Sequence, residues 1–317
     1  MSPSPRIFAT VGLLLLPVGV WWALDGRDTG SVSISTSSAP SVPQTDDQWE
    51  RERVFQETFD IGAGGTLNVD VRDADVEVRT GTSNQVVVEA WISARDLTWG
   101  REVFQRSEFR ATRRDRTVHV EAEDPRVDSR EWRRNRGVSI AAVITVPAQF
   151  NVLAVTGDGD IDIASIRGNL EVRTSDGDVT VEDVTGDNIL IDTSDGDVRV
   201  MALSGREVRI ETSDGDINLR SSQGPLTART SDGDIVVRLD GENTDVTLST
   251  GDGDITIFAP TTVRADVAFE GEDVEISQGF ELRGTMGRRT IRGTLNGGGG
   301  RLSARTGDGE IALRVSG

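Results

Sequence analysis

Three features of this chain predict an all-β fold, a single-stranded parallel β-solenoid (β-helix) with about 19 residues per coil. One eight-residue string recurs along the C-terminal half. Short runs of alternating apolar residues flank each copy. Rings are scarce: aromatic residues make up 5 % of the chain, and residues 151–317 hold no Trp and only Phe258, Phe269 and Phe280. A narrow coil has room for Val, Ile, Leu and Ala but little for rings.

In chain order, Arg6 comes first, followed by an apolar run over residues 7–24, IFATVGLLLLPVGVWWAL. Eighteen residues at ~1.5 Å each reach roughly 27 Å, enough for a bilayer core. Pro17 lies inside the run, which membrane helices tolerate. Trp21 and Trp22 stand where an interfacial aromatic belt belongs. Positive charge before the run, with Asp25 and Asp28 after it, orients the N-terminus toward the cytoplasm. Residues 1–26 therefore read as a single-pass transmembrane anchor. A cleaved signal segment is the alternative; it lacks an A-x-A site, and Ala39 is followed by Pro40. Either reading sends the bulk of the chain to the periplasm or the cell exterior. Residues 27–48 are rich in Ser, Thr and Pro without apolar periodicity, which is the signature of a linker.

Residues 49–150 read as the β-rich first part of the solenoid. Thr66-Leu67-Asn68-Val69-Asp70-Val71 alternates, as does Gln85-Val86-Val87-Val88-Glu89-Ala90. Between them, Asp73-Ala74-Asp75-Val76-Glu77-Val78 is a diverged copy of the acidic string described below. The stretch 95–136, with 12 Arg, nine acids, Trp99 and Trp132, is expected to form longer strands and a solvated arginine-rich loop. His119, the one histidine, lies in a strand alternation and reads as structural or exposed. Residues 138–146 form a strong strand signal closed by Pro147.

Residues 151–317 carry the repeat: TGDGDIDI (156–163), TSDGDVTV (174–181), TSDGDVRV (193–200), TSDGDINL (212–219), TSDGDIVV (230–237), TGDGDITI (250–257) and TGDGEIAL (306–313). The spacing between copies is 18, 19, 19, 18, 20 and 56 residues. The long final step predicts two degenerate coils in between, at Gly271-Glu272-Asp273-Val274 and at residues 290–295. Inward positions recur with spacings of 2, 2, 5, 2 and 3, which is not a hexapeptide pattern. The Asp-Gly-Asp core is turn chemistry: Asp bonds its own backbone and Gly accepts positive φ. One unit cannot bury its apolar face alone, and stacking units buries it. The four glycines at 297–300 read as a loop between coils, not a phosphate loop, because nothing like G-K-[ST] follows. The last strand, 311–315, shows no polar cap. End-to-end self-association or a capping partner is therefore expected there.

VPAQFNVLAVTGDGDIDI (146–163) followed by serial [TS]-[SG]-D-G-D-[VI] units resembles the bacterial putative-adhesin family, and FDIGAGGTLNVDVRDADVEV (59–78) resembles its start. The resemblance spans about residues 55–317. It implies a membrane-anchored envelope protein without assigned catalytic residues, of a kind often associated with cell-surface stress systems.

Residues 151–317 hold 31 acids against 16 Arg, which is −15 of the chain's −19. In a solenoid, the acids flanking each motif glycine stack into two rows. Two charges ~4.8 Å apart repel by about 1 kcal/mol in water and by ~3.5 kcal/mol at an effective dielectric of 20. One offset is backbone N–H bonding by each carboxylate. The other is calcium between successive turns, held by Asp158, Asp160, Asp176, Asp178, Asp195, Asp197, Asp214, Asp216, Asp232, Asp234, Asp252 and Asp254. Against calcium, the paired glycines of the known β-roll motif are missing. The threonine column (Thr174, Thr193, Thr212, Thr230, Thr250, Thr306) reads as a hydrogen-bonded ladder at strand ends.

The net charge argues against a nucleic-acid partner. The absence of Cys excludes disulfides, thiolate metal sites and cysteine nucleophiles. The expected function is a non-enzymatic, adhesin-like binding or structural surface of the cell envelope, with no cofactor and with an envelope protein or polysaccharide as partner. Two alternatives stand beside it: a calcium-binding β-roll, and a polysaccharide-active β-helix enzyme using Asp and Arg.

Overall fold

A computed structural model describes residues 49–135, 137–240 and 245–316. The expected anchor and linker, residues 1–48, lie outside the described residues. Among the described residues no helix is long and apolar enough to cross a membrane.

One coil illustrates the rest. Ile189 and Ile191 point inward, Thr193 is buried at the turn, Val198 and Val200 point inward after it, and Leu203 closes the third side; the five aliphatic side chains are at most 2 % exposed. The inward spacing of 2, 2, 5, 2 and 3 is the one the sequence predicts. Coils stack in register as parallel strands. In the leading sheet, before each turn, Val152, Leu170, Ile189, Val208, Leu226, Val246 and Leu302 are successive neighbours. In the trailing sheet the series runs Val76, Ile161, Val179, Val198, Ile217, Ile235, Ile255, Ile311 and Val274. A short third ladder joins Ile166, Val184, Leu203, Ser222 and Leu239. The first two columns are aliphatic at every tier and Ser222 is the one polar member of the third, so the repeated burial that stabilises one coil also fixes its register on the next.

At both ends, sequence order and spatial order part. The strand Gly65–Val71 lies between Thr117–Ala122 and Phe150–Val155. Ala74–Gly81 likewise lies between Val138–Pro147 and Ile161–Ile163. The first coil in the chain is thus overlaid by a later one. Antiparallel strands Gln85–Ala94 and Glu50–Asp60 then extend the trailing sheet. The edge strand carries Glu50, Arg51, Glu52 and Arg53, charges that discourage further pairing.

Helices occupy part of the stretch expected as strands and loop. Helix α1 (Leu97–Arg106) starts where Asp96 accepts hydrogen bonds from the Thr98 and Trp99 backbone N–H groups, at 2.9 and 3.3 Å. It buries Trp99 and Val103, four residues apart on one face. Helix α2 (Ser129–Asn135) is capped by Asp128, which accepts from the Arg130 and Glu131 N–H groups at 2.8 Å each. Glu131 ties the two helices together: it accepts from Trp99 Nε1 at 3.1 Å and pairs with Arg106 at 2.9 Å.

The C-terminal end corrects the expected serial order. The last octet stacks directly on the one at 250–257, with Ile255 opposite Ile311, across 56 residues of sequence. The degenerate copy, strand Asp273–Ile276, lies outside it. Residues 290–295 form no coil. Strand Thr290–Leu295 runs antiparallel to both Ala265–Glu270 and Leu282–Met286 and closes the end. The strand Glu310–Val315, expected to end the stack uncapped, is covered on both sides within the chain. Asn296, Gly297 and Gly298, with φ of 50°, 89° and 82°, make the loop that returns the chain for this insertion.

Candidate functional site

Each octet opens on a buried threonine, from Thr156 to Thr306, at most 7 % exposed. The hydroxyls of Thr174, Thr193, Thr212, Thr230, Thr250 and Thr306 accept the N–H of the glycine three residues on, at 3.0–3.3 Å. The same hydroxyls reach carbonyls of the preceding tier; for Thr250 the partner is Gly233 O at 2.9 Å. The column is the hydrogen-bonded ladder that the sequence suggests.

The middle glycine is required by crowding, not by positive φ as the sequence reading assumed. A Cβ at Gly177, Gly196, Gly215, Gly233 or Gly253 would sit 1.9–2.0 Å from a carbonyl oxygen of the tier before. None of these glycines has a positive φ.

The second acid of each octet continues the ladder across the turn. Oδ1 of Asp75, Asp160, Asp178, Asp197, Asp216, Asp234 and Asp254 accepts the backbone N–H of the equivalent acid one tier on, at 3.3, 2.9, 2.9, 2.9, 2.8, 2.8 and 2.8 Å. Charge-assisted bonds of this kind offset part of the repulsion along the row. Arg199 offsets more of it by pairing with Asp178 at 3.2 Å and Asp197 at 2.6 Å. The first acids (Asp158, Asp176, Asp195, Asp214, Asp232, Asp252 and Asp308) point into solvent. Among the described residues, no three or more His, Asp or Glu side chains converge to hold a metal ion.

Three carboxyls are held above their ordinary value near the first tiers. Burial is the main cause for each. Asp124 and Asp158 add to it for Asp73, Asp160 for Asp75, and Glu77, Asp160 and Asp75 for Asp162.

The outer face of the leading sheet carries a groove of about 520 Å³. Leu153 and Leu190 supply apolar floor, with Glu171, Glu207 and Arg209 around them. One wall is an asparagine ladder: Asn151 Oδ1 accepts from Asn169 N at 2.9 Å, and Asn169 Oδ1 accepts from Asn188 N at 3.0 Å. The sequence reading missed this wall, although the 18- and 19-residue spacings of the three asparagines were visible. His119 stands in register with Asn68 on the same sheet, half-buried in a strand.

Stacked, in-register coils with a Thr-Gly-Asp spine define a repeat protein of the β-solenoid kind. Residues 65–314 match the Toastrack DUF4097 family, and the chain belongs to it. This bears out the resemblance to the putative-adhesin family. The chain is similar to the crystal structure of a putative adhesin from Bacteroides fragilis, at 10 % identity and TM-score 0.48 over 82 % of this chain and 96 % of that one. It is also similar to putative adhesins from Parabacteroides distasonis (12 % identity, TM-score 0.40, 82 % and 96 % covered) and Parabacteroides merdae (11 %, 0.38, 82 % and 95 %). No curated protein matches the chain.

Proposed function

We propose that this protein is a membrane-tethered, extracytoplasmic, non-enzymatic binding surface of the cell envelope, adhesin-like in that it presents the outer face of its coils to an envelope protein or polysaccharide. The observation that carries this reading is how the octets use their polar groups. The threonines and second-row aspartates are engaged in tier-to-tier hydrogen bonds. That use favours a structural role for the spine over chemistry, and recognition then falls to the outward residues. The groove walled by Asn151, Asn169 and Asn188 is the concave candidate. Amide and carboxylate groups beside an apolar floor suit a hydroxyl-rich or peptide-like ligand.

The test is binding of the full chain, in detergent, to isolated envelope polysaccharide and to envelope protein fractions. Leu153→Asp and Leu190→Asp each change an outward side chain and leave the core columns intact. Loss of binding to one fraction with an unchanged melting curve supports the reading. Unchanged binding moves recognition off the groove. Release of reducing ends from the polysaccharide would instead favour an enzyme. The tether is tested separately: alkaline carbonate washing should leave the chain in the membrane pellet.

A further inference from the structure

The body of the protein is acidic, yet two regions are not: residues 277–305 hold six Arg against one acid, a net +5, and residues 95–136 are basic as well. Residues 95–136 hold 12 Arg and nine acids, a net +3, so the rest of the chain carries −22 (the total of −19 less +3). This region builds the N-terminal end of the stack. The described chain begins there with Trp49. In the sequence, 24 residues separate Trp49 from the end of the apolar run at Leu24.

Large indole rings are exposed at this end. Trp49 is 48 % and Trp132 45 % exposed, against a core whose rings are almost wholly covered. Both lie over Gly137, where a Cβ would come within 3.4 Å of the Trp132 ring and 3.5 Å of the Trp49 ring. Trp132 also meets Trp99 edge-on at 6.1 Å, which anchors α2 to the packed helix beneath. Guanidinium groups cover the neighbouring indoles: Arg95 lies 6.0 Å from the Trp49 ring centre, and Arg51 lies 5.0 Å from that of Trp91. Register puts Arg51, Arg53, Trp91 and Arg95 on one outward face, because Arg53 pairs with Trp91 and Glu50 with Ala94. Arg53 is neutralised by Glu89; Arg51 has no carboxylate partner among the described residues.

Exposed indoles beside arginines are the groups that settle at a bilayer interface, where the ring enters the headgroup layer and the cation meets lipid phosphate. We propose that this Trp49–Trp132–Arg51 face docks on an anionic lipid surface and holds the N-terminal end of the stack against the membrane. The inference rests on the tethered reading above. The sequence limits the distance: 24 residues span at most about 85 Å even when fully extended. Residues 151–276 carry 28 acids against nine Arg, and this charge opposes lying flat along the coils on the same lipid.

The experiment uses the full chain with vesicles of zwitterionic lipid and with vesicles containing about 30 % anionic lipid. Flotation reports association, and hydrogen exchange reports the contact. Docking predicts that amides of 129–135 exchange at least about tenfold more slowly on anionic than on zwitterionic vesicles, and that about 1 M salt abolishes the difference. The double variant Trp49→Ser, Arg51→Ser, which leaves the Trp132–Trp99 contact in place, should lose this protection while its 129–135 amides exchange as in the parent without vesicles, which controls for folding. Equal exchange on both vesicle types overturns the docking, as does protection that survives the double variant. Flotation separates this from the tether. A chain that floats with both lipids but shows no lipid-dependent protection keeps the tether and loses the docking. A chain that floats only with anionic lipid keeps the docking and loses the tether. A chain that floats with neither loses both.

Discussion

Replacing Gly196 by Ala puts a methyl group where successive tiers touch. Its Cβ would lie 1.9 Å from Gly177 O and 2.5 Å from Gly177 C, while ordinary contact begins at 3.4 Å. The tiers must therefore open by about 1.5 Å at that point (3.4 less 1.9). Three bonds cross the same gap: Ser194 N to Ser175 O at 3.1 Å, Asp195 N to Ser175 O at 2.9 Å, and Asp197 N to Asp178 Oδ1 at 2.9 Å. Lengthened by that amount, none remains a hydrogen bond. At about 1 kcal/mol each, the loss is about 3 kcal/mol, at the upper end for a single substitution. Gly62→Ala is the control, because its Cβ would meet nothing within 4 Å. Urea denaturation of both variants gives the comparison, and hydrogen exchange locates the opening at 193–198. A Gly196→Ala chain within about 0.5 kcal/mol of the parent, with unchanged exchange, refutes the crowding argument.

Thr193→Val removes a buried hydroxyl and leaves the Gly196 N–H without its acceptor, so it should cost about 1–3 kcal/mol in denaturation, with Ser restoring most of it. Asp216→Asn keeps the acceptor for Asp234 N–H and removes a charge from the row; it should be neutral or stabilising, whereas Asp216→Ala should cost about 1 kcal/mol. Because burial raises the carboxyls of Asp75 and Asp162, the folded chain holds their protons more tightly than the unfolded chain. Their stabilising contribution is present below the ordinary carboxylate value and is lost as pH rises through the raised values. Melting curves at stepped pH should show the double variant Asp75→Asn, Asp162→Asn more stable than the parent at neutral pH, with a flatter slope through the acidic range. Calcium at about 1 mM should leave the melting temperature unchanged, because the second-row Oδ1 atoms already accept backbone N–H groups; a rise of several degrees would restore the calcium ladder.

The coils were legible because their periodicity is enforced at every tier. Ile189, Val208 and Leu226 are each one residue of a repeated column, and the alternation around them can point only one way. The role of the motif glycine was not legible, because a close approach between tiers leaves the same mark in sequence as a left-handed turn. Helix α1 was missed for a different reason: in ten residues its fully buried stripe is only Trp99, Gly100 and Val103, too short a run to stand out as a helical period. The Asp96 cap was the available signal. The ends misled most. A chain that skips a tier and returns has the same octets as one that runs straight, and only the 56-residue step hinted at the detour. For the site, the acidic rows were visible but their engagement with the backbone was one of two open readings, and the asparagine wall went unseen.

The insertion of strands Gly300–Arg305 and Glu310–Val315 between earlier-made neighbours has a consequence for biogenesis. As the polypeptide emerges N-terminus first, the segment 265–276 appears before the slab it must rest on. It has to wait, or pair wrongly, until residues 300–315 are delivered. The strand Glu310–Val315 thus acts as a keystone. A product ending before residue 300 loses this tier and also strands the one outside it, baring the 255–259 edge to neighbouring molecules.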